Sequence, residues 1–452
     1  MQKTLFGLVA LLALLSMVLG ACATPTPQII EKTVEVEKIV EVEKTVEVEK
    51  TVEVEVPVEK EVVIYNSYNS DPEPRKADEE LVKMFEESYP NVSVQHSIVA
   101  HEDFKQAIRA YLTASTPPDV MTWFAGNRAR FFIDKGLIMD ISDVWADEGW
   151  NESYPKGFQA MSSVDGKQYF LPTNWYWWAV YYRKDIFAEL NLSEPETWEE
   201  FLVVCETLKE NGYAPLTIGT KYRWTAAAWF DYLNMRVNGP EFHINLMLGK
   251  EKYDDPRVLK VFTDYWQPLI ENDYFIDDPA AYSWQEAVQF MINGEAGMYL
   301  MGDFIRDSYP DENEDEELGF FRFPIIDPSV PIGEDAPTDG FFISVNSQHP
   351  DRAKELLAYL GSVEAQQYMV DKLGRLPTNM DVDTSSFTPI QQQGMELIQG
   401  ADFVAQFYDR DSTPEMADEG MNGFMEFWAK PNSIGAILER LEMTRQEIYE
   451  AE

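Results

Sequence analysis

From Val62 onward, strand-like runs alternate with amphipathic helical segments. VVIYNS, Val62 to Ser67, reads as a strand, and PRKADEELVKMFEESYP follows with Leu81, Met84 and Phe85 on one helical face. VSVQHSIV, EDFKQAIRAYLTAS and PDVMTWF continue the same rhythm. Apolar residues three and four apart predict helices, and short β-branched or aromatic runs bounded by turn residues predict strands. Strands and helices in alternation predict an α/β fold with a mostly parallel sheet.

The pattern resumes further on with helices around Lys184–Leu190 and Thr197–Asn211, the short strand APLTIG, and a helix beginning near Trp224. SWQEAVQFMINGEAGMYLMGDF, the strands LGFFRFPII and GFFISVNS, and the helix HPDRAKELLAYLG come next, the last with Pro350 in its first turn and Gly361 at its stop. The chain finishes almost entirely helical. In TWEEFLVVCETLKENG, Trp198, Phe201, Leu202, Cys205 and Leu208 share one stripe, so Cys205 reads as a buried small hydrophobe.

The first 61 residues depart from this rhythm. Lys3, an apolar run from Leu5 to Gly20 and the sequence Leu19-Gly20-Ala21-Cys22 read as a signal peptide over residues 1–21, too short for a span of about 20 apolar residues. LGAC resembles the bacterial lipobox, in which the cysteine becomes the acylated first residue; Cys22 is the expected lipidation site, and Ala23 supplies no aspartate retention signal. From Glu31 to Glu55 EKTVEV repeats with small variations, valine or lysine at even positions and mostly glutamate or threonine at odd ones. That period of two builds no apolar helical stripe, and the dense like charge predicts a disordered, self-repelling tether over residues 22–61, reaching on the order of 130 Å fully stretched.

Charge and missing motifs narrow the function. A net charge of −43 and an isoelectric point near 4.3 oppose nucleic acid and anionic lipid surfaces. With Cys22 lipidated, Cys205 has no partner for an internal disulfide. GxSxG, Walker A, GxGxxG after a strand and HExxH are all missing, and His96, His101, His243 and His349 lack metal-ligand spacing. The loop Tyr309–Gly319 suggests calcium through Asp311, Asn313 and Asp315, but Glu316 stands where such a loop needs glycine, so it reads as a solvated acidic loop. No cofactor, no metal and no enzymatic activity are expected.

LPTNWYWWAVYYRKDIF, Leu171 to Phe187, carries six aromatic residues in the eight positions Trp175–Tyr182. Either all six rings are core, or some wall a ligand site. Together with PPDVMTWF followed by FFIDKGLI, EPETWEEFLVVCETLKENG, AVQFMINGEAGMYLMGDF and GFFISVNSQHPDRAKELLAYLGSVEAQQYM, this stretch resembles the extracellular solute-binding proteins of family 1, the maltose-binding-like receptors of ABC importers. The resemblance covers about Val62 to Tyr449.

It implies a periplasmic-binding-protein-like (type II) α/β fold of two lobes joined by hinge crossings, with ligand held in the cleft. Residues 62–173 plus 318–375 would form one lobe and residues 174–317 plus 376–452 the other. On an extended crossing, Asn174, Tyr176 and Trp178 would face one side and Trp175, Trp177 and Ala179 the other. Carried over by the resemblance, the ligand-binding positions are Tyr68, Asn69 and neighbouring Ser70; Trp123 as the stacking ring, Asn127 and Arg128; Asn174, Tyr176 and Trp178; Arg223 and Trp224; Asp303 and Phe304; and Asp409, Arg410 and Asp411. Asn69 and Ser70 replace an acid and a lysine of relatives, and Phe304 replaces a tryptophan. Asp411 either complements the helix begun by Ser412 or Thr413 and Pro414, or faces the cleft and holds hydroxyls.

The implied function is a monomeric lipoprotein on the outer face of the cytoplasmic membrane that captures a mono- or oligosaccharide and delivers it to ABC permease subunits. Flat rings suit the apolar faces of pyranoses, and charged hydrogen-bonding groups suit their hydroxyl edges. Two alternatives stay open: a receptor for a cationic amine, held by rings and by Asp303 and Asp411 through cation–π and ionic contacts, and an anchored glycoside hydrolase.

Overall fold

The computed structural model describes residues 60–309 and 317–450, together with the backbone of Pro27–Glu31 and Glu53–Pro57. Those two short strands pair antiparallel with each other, within the segment expected to be a tether. The signal peptide, Cys22, the rest of the tether and the calcium-like positions Asp311–Glu316 lie outside the described residues.

Twelve strands of the α/β body carry the argument. In chain order they are β1 (Glu61–Tyr68), β2 (Val92–Val99), β3 (Val120–Phe124), β4 (Leu171–Trp175), β5 (Trp178–Arg183), β6 (Ala214–Leu216), β7 (Ala296–Gly302), β8 (Leu318–Phe321), β9 (Gly333–Asp335), β10 (Thr338–Ile343), β11 (Leu376–Pro377) and β12 (Phe403–Ala405). Six make one sheet in the order β11-β4-β10-β3-β1-β2, and four make a second in the order β6-β7-β5-β8. Both sheets are mixed rather than mostly parallel: β1–β3 and β6–β7 run parallel, while β10 is antiparallel to β3 and β4, and β5 is antiparallel to β7 and β8. The physical reason is connectivity. β10 returns from the neighbouring sheet instead of arriving through a local strand–helix–strand unit, so nothing forces it parallel.

The chain passes between sheets at Trp175–Trp178 and again between β8 and β10, and it leaves the six-stranded sheet for the last time after β11. β8 pairs with β5 in the four-stranded sheet, so the second crossing occupies residues 322–337 rather than beginning at 318. On that crossing β9 pairs in parallel with β12. A register shift in the β10–β4 ladder falls at Asp339/Gly340, where a Cβ on Gly340 would lie 1.9 Å from the Leu171 carbonyl oxygen, so only glycine lets the strands approach.

The larger core cluster surrounds the four-stranded sheet and includes Trp177, Tyr181, Phe201, Cys205, Trp229 and Tyr299. A smaller one, with Phe104, Ile108, Met121, Trp123 and Phe132, lies beside the six-stranded sheet. Cys205 sits on the helix Trp198–Glu210, which starts at a reciprocal Thr197–Glu200 cap; burial pushes its thiol well up, which makes it unreactive. The helix Pro350–Leu360 ends at Gly361 as expected, but not for want of a left-handed residue. Its φ is −86°, and the Trp150 ring lies 2.3 Å from where a Cβ would stand.

Candidate functional site

The aromatic stretch resolves by alternation. Along the crossing, Asn174, Tyr176 and Trp178 line a cavity of about 220 Å³. Trp177 and Ala179 point away and are fully buried, and the Trp175 indole N–H donates to the Pro377 carbonyl at 3.2 Å. Part of the run is core and part is wall, because successive side chains of an extended chain leave on opposite sides.

Rings from both sheets face the cavity. Trp178 stacks on Phe407 with centroids 4.8 Å apart and meets Trp224 edge-on at 6.0 Å. Phe304, on the turn after β7, meets Tyr176 at 5.3 Å and Trp284 at 5.1 Å, both edge-on. From the six-stranded side come Tyr68, at the end of β1, and Phe124, at the end of β3, 5.3 Å apart.

Charged groups run between these rings. Arg410 donates to Asp339 Oδ1 at 2.8 Å and to Tyr176 Oη at 2.6 Å, and its guanidinium lies 4.3 Å from the centre of the Phe124 ring. Asp409 lies 3.5 Å from Lys105 and 3.5 Å from Arg128. Burial alone would raise its carboxyl, but Lys105, Arg128 and Arg410 together hold it down at about 2. Arg375 pairs with Asp307 at 2.7 Å. The Trp224 indole N–H donates to Glu102 at 3.1 Å, joining the helix Trp224–Asn238 to the helix His101–Thr113. Burial pushes the hydroxyls of Tyr68 and Tyr176 well up, so both stay protonated.

Of the expected positions, Tyr68, Asn69, Asn174, Tyr176, Trp178, Trp224, Phe304 and Arg410 line the cavity, with Ser70 and Asp409 beside them. Six do not, among them Arg128, which pairs with Asp409. Trp123 belongs to the smaller core and donates its indole N–H to the Arg128 carbonyl at 3.2 Å; on β3 it is Thr122 and Phe124 that face the cavity, and Trp123 between them must face the other way. Asn127 spends its amide on the Asp411 carbonyl at 2.7 Å. Arg223 has φ of 68° at the start of its helix and turns outward to Asp418 at 2.8 Å. Asp303 is buried away from the cavity. Asp411 accepts the backbone N–H of Gln406 at 2.9 Å and of Phe407 at 3.4 Å. It therefore shapes the loop that presents Phe407, while Thr413 caps the helix Pro414–Ala429.

Several lining residues went unforeseen: Asp71, His101, Lys105, Phe124, Trp284, Gln285, Asp307, Asp339, Arg375 and Phe407. Phe124 was within reach of the period of two, counted from Thr122. His101 and Lys105, one helical turn apart, share a face. Asp339 and Arg375 sit on chain returns that carry no local pattern.

Residues 69–367 match the sequence profile of bacterial extracellular solute-binding proteins. The chain belongs to that family. An uncharacterized ABC transporter extracellular-binding protein of Pyrococcus horikoshii is 29% identical over 70% of this chain and 72% of its own. A probable sugar-binding periplasmic protein of Mesorhizobium japonicum is 24% identical, over 64% of this chain and 69% of its own. Among solved structures, the bacterial solute receptor AcbH, described by its exclusive preference for β-D-galactopyranose, is 30% identical with a TM-score of 0.82 over 86% of this chain and all of that one. Maltose-bound MalE3 of T. maritima, 17% identical with a TM-score of 0.72 over 86% of this chain and 99% of its own, shares the fold. This solute-binding protein thus has the type II periplasmic-binding arrangement, and its family serves solute transport. Among the described residues no helix is long and apolar enough to cross a membrane, and no group of histidine, cysteine, aspartate or glutamate could hold a metal ion.

Proposed function

We propose that this protein is the carbohydrate receptor of an ABC importer, a monomer anchored by lipid at Cys22 to the outer face of the cytoplasmic membrane, and that its ligand is a single sugar ring. One observation carries the reading: flat rings and ion-paired polar groups from both sheets converge on one cavity, with Arg410 joining Asp339 of β10 to Tyr176 of the crossing. A pyranose presents an apolar face to such rings and hydroxyls to such charges. The volume of about 220 Å³ lies below the roughly 300–1,000 Å³ of sites for drug-sized ligands, which supports one ring over a chain of them. Relatives named for sugar binding, and a structural neighbour described by its preference for a galactopyranose, support the same class.

Binding rather than bond cleavage is supported by the family, which serves solute transport, and by the ion pairs that Asp307, Asp339 and Asp409 each make with a cation within 3.5 Å. The amine reading leaned on Asp303 and Asp411, neither of which lines the cavity. Ligand contact with both sheets is what allows binding to favour the closed arrangement.

A thermal-shift screen against mono- and oligosaccharides and polyamines tests this. A ligand at 100 times its dissociation constant should stabilise the fold by about 2.7 kcal/mol. A monosaccharide that raises the melting temperature, with no sugar product released, is the expected result; polyamine binding alone, or hydrolysis, would overturn it.

A further inference from the structure

The charges that line the cavity do not cancel. Asp307, Asp339 and Asp409 are matched by Arg375 at 2.7 Å, Arg410 at 2.8 Å and Lys105 at 3.5 Å. Asp78 accepts from Tyr65 at 2.9 Å and Ser67 at 2.5 Å and lies 3.3 Å from His96. Asp71 differs: among the described residues no lysine, arginine or histidine makes an ion pair with it.

Nor does a structural duty absorb this carboxylate. Asp71 directly precedes the helix Pro72–Ser88, a place where an acid usually caps the helix by accepting N–H bonds from its second or third residue. Here the third residue is Pro74, which has no N–H to give. Among the described residues no backbone N–H bond to the Asp71 carboxylate occurs. Burial and the facing Asp307 push its carboxyl up, with the Gln285 amide and Arg375 opposing. Asp71 comes from the six-stranded side and Asp307 from the turn after β7, so the two acids face the cavity from opposite walls, with Arg375 paired to Asp307 and the His101 imidazole also near Asp71.

We propose that Asp71 is the specificity-determining residue by which this receptor takes neutral, hydroxyl-donating sugars and rejects anionic ones such as uronic acids and sugar phosphates. The proposal rests on the carbohydrate reading above. A hydroxyl donates to the unmatched carboxylate and satisfies it. A sugar carboxylate or phosphate instead brings a further negative charge into a buried space whose arginines and lysine are already paired, where screening by solvent is weak.

The test pairs each neutral hexose that binds with its own C6-oxidised form, galactose with galacturonate and glucose with glucuronate, by titration calorimetry on the full chain. The wild-type protein should bind the uronate at least tenfold more weakly than the hexose. Asp71→Asn should weaken hexose binding severalfold and narrow the hexose-to-uronate ratio at least fivefold. Gln285→Lys, which sets a cation beside Asp71, should narrow it as well, and serves as the second variant should Asp71→Asn fail to fold. Equal affinity of the wild type for hexose and uronate, or a ratio that neither variant moves, overturns the role of Asp71 while leaving the carbohydrate reading intact. Failure of every saccharide to bind the wild type removes both.

Discussion

Arg410, itself buried, and the half-buried Asp339 form an ion pair of 2.8 Å at the point where the chain passes from one sheet to the other. The same guanidinium donates to Tyr176 Oη, so one side chain ties β10, the aromatic crossing and the helix Tyr408–Asp411. Removing one partner of a fully buried pair costs about 3–5 kcal/mol, and solvent reaching the Asp339 carboxylate lowers that here. Arg410→Ala should lose about 2–4 kcal/mol in urea unfolding and abolish sugar binding. Arg410→Lys, which keeps the charge but cannot reach Asp339 and Tyr176 together, should fall between wild type and alanine in both measurements.

Trp177 and its neighbours give a contrasting expectation. A Cβ on Gly394 would lie 2.5 Å from the Trp177 indole, which is fully buried. Gly394→Ala should therefore cost about 1–3 kcal/mol through overpacking, with the sugar dissociation constant of the folded protein changed less than threefold. A large loss of affinity without loss of stability would mean that Trp177 is part of the binding wall.

His243 sets an acid limit on stability. Burial pushes its imidazole down to about 4, and it lies 3.3 Å from Asp231, whose own carboxyl burial pushes well up. The unfolded chain takes a proton on this histidine below about 6.5 while the folded protein does not until about 4. The histidine's own contribution is thus present above 6.5 and falls as pH drops from 6.5 to 4, by on the order of 3 kcal/mol, whereas the raised Asp231 carboxyl acts with the opposite sign. Chemical denaturation at stepped pH should show the histidine's share as the difference between wild type and His243→Gln, the wild type losing more stability than the variant between 6.5 and 4.

Asp409 acts in a lower window. Its folded value of about 2 lies below the ordinary 3.8, so it contributes stability above about 4 that disappears as pH falls towards 2. Asp409→Asn should lose on the order of 2 kcal/mol at neutral pH and match the wild type near pH 2. It should also weaken sugar binding, because Lys105 and Arg128 would lose their shared partner.

The chain's alternating strands and helices and the crossing at Trp175–Trp178 were legible in the sequence, and ten of the sixteen expected positions line the cavity. They were legible because short-range periodicity governs them: Tyr176 and Trp178 share a side as any residues two apart on extended chain must. Trp123 was expected from the resemblance alone, whereas the same period of two, counted from Thr122, puts Phe124 on the cavity side. Arg223 shows a different limit, since a φ of 68° at one residue redirects a side chain and leaves no trace in composition. Asp339 and Arg375 needed the topology, because β10 and the segment before β11 reach the cavity only after the chain has crossed between sheets. The mixed strand directions escaped for the same reason.

The crossing from Asn174 to Ala179 gives its residues alternately to the cavity wall and to the interior. Its length is therefore locked: inserting or deleting a single residue would swap the two sets, turning Trp177 towards the cavity and Tyr176 into the packed interior. The cavity wall can therefore be reshaped by point replacement along that ribbon, but not by lengthening it.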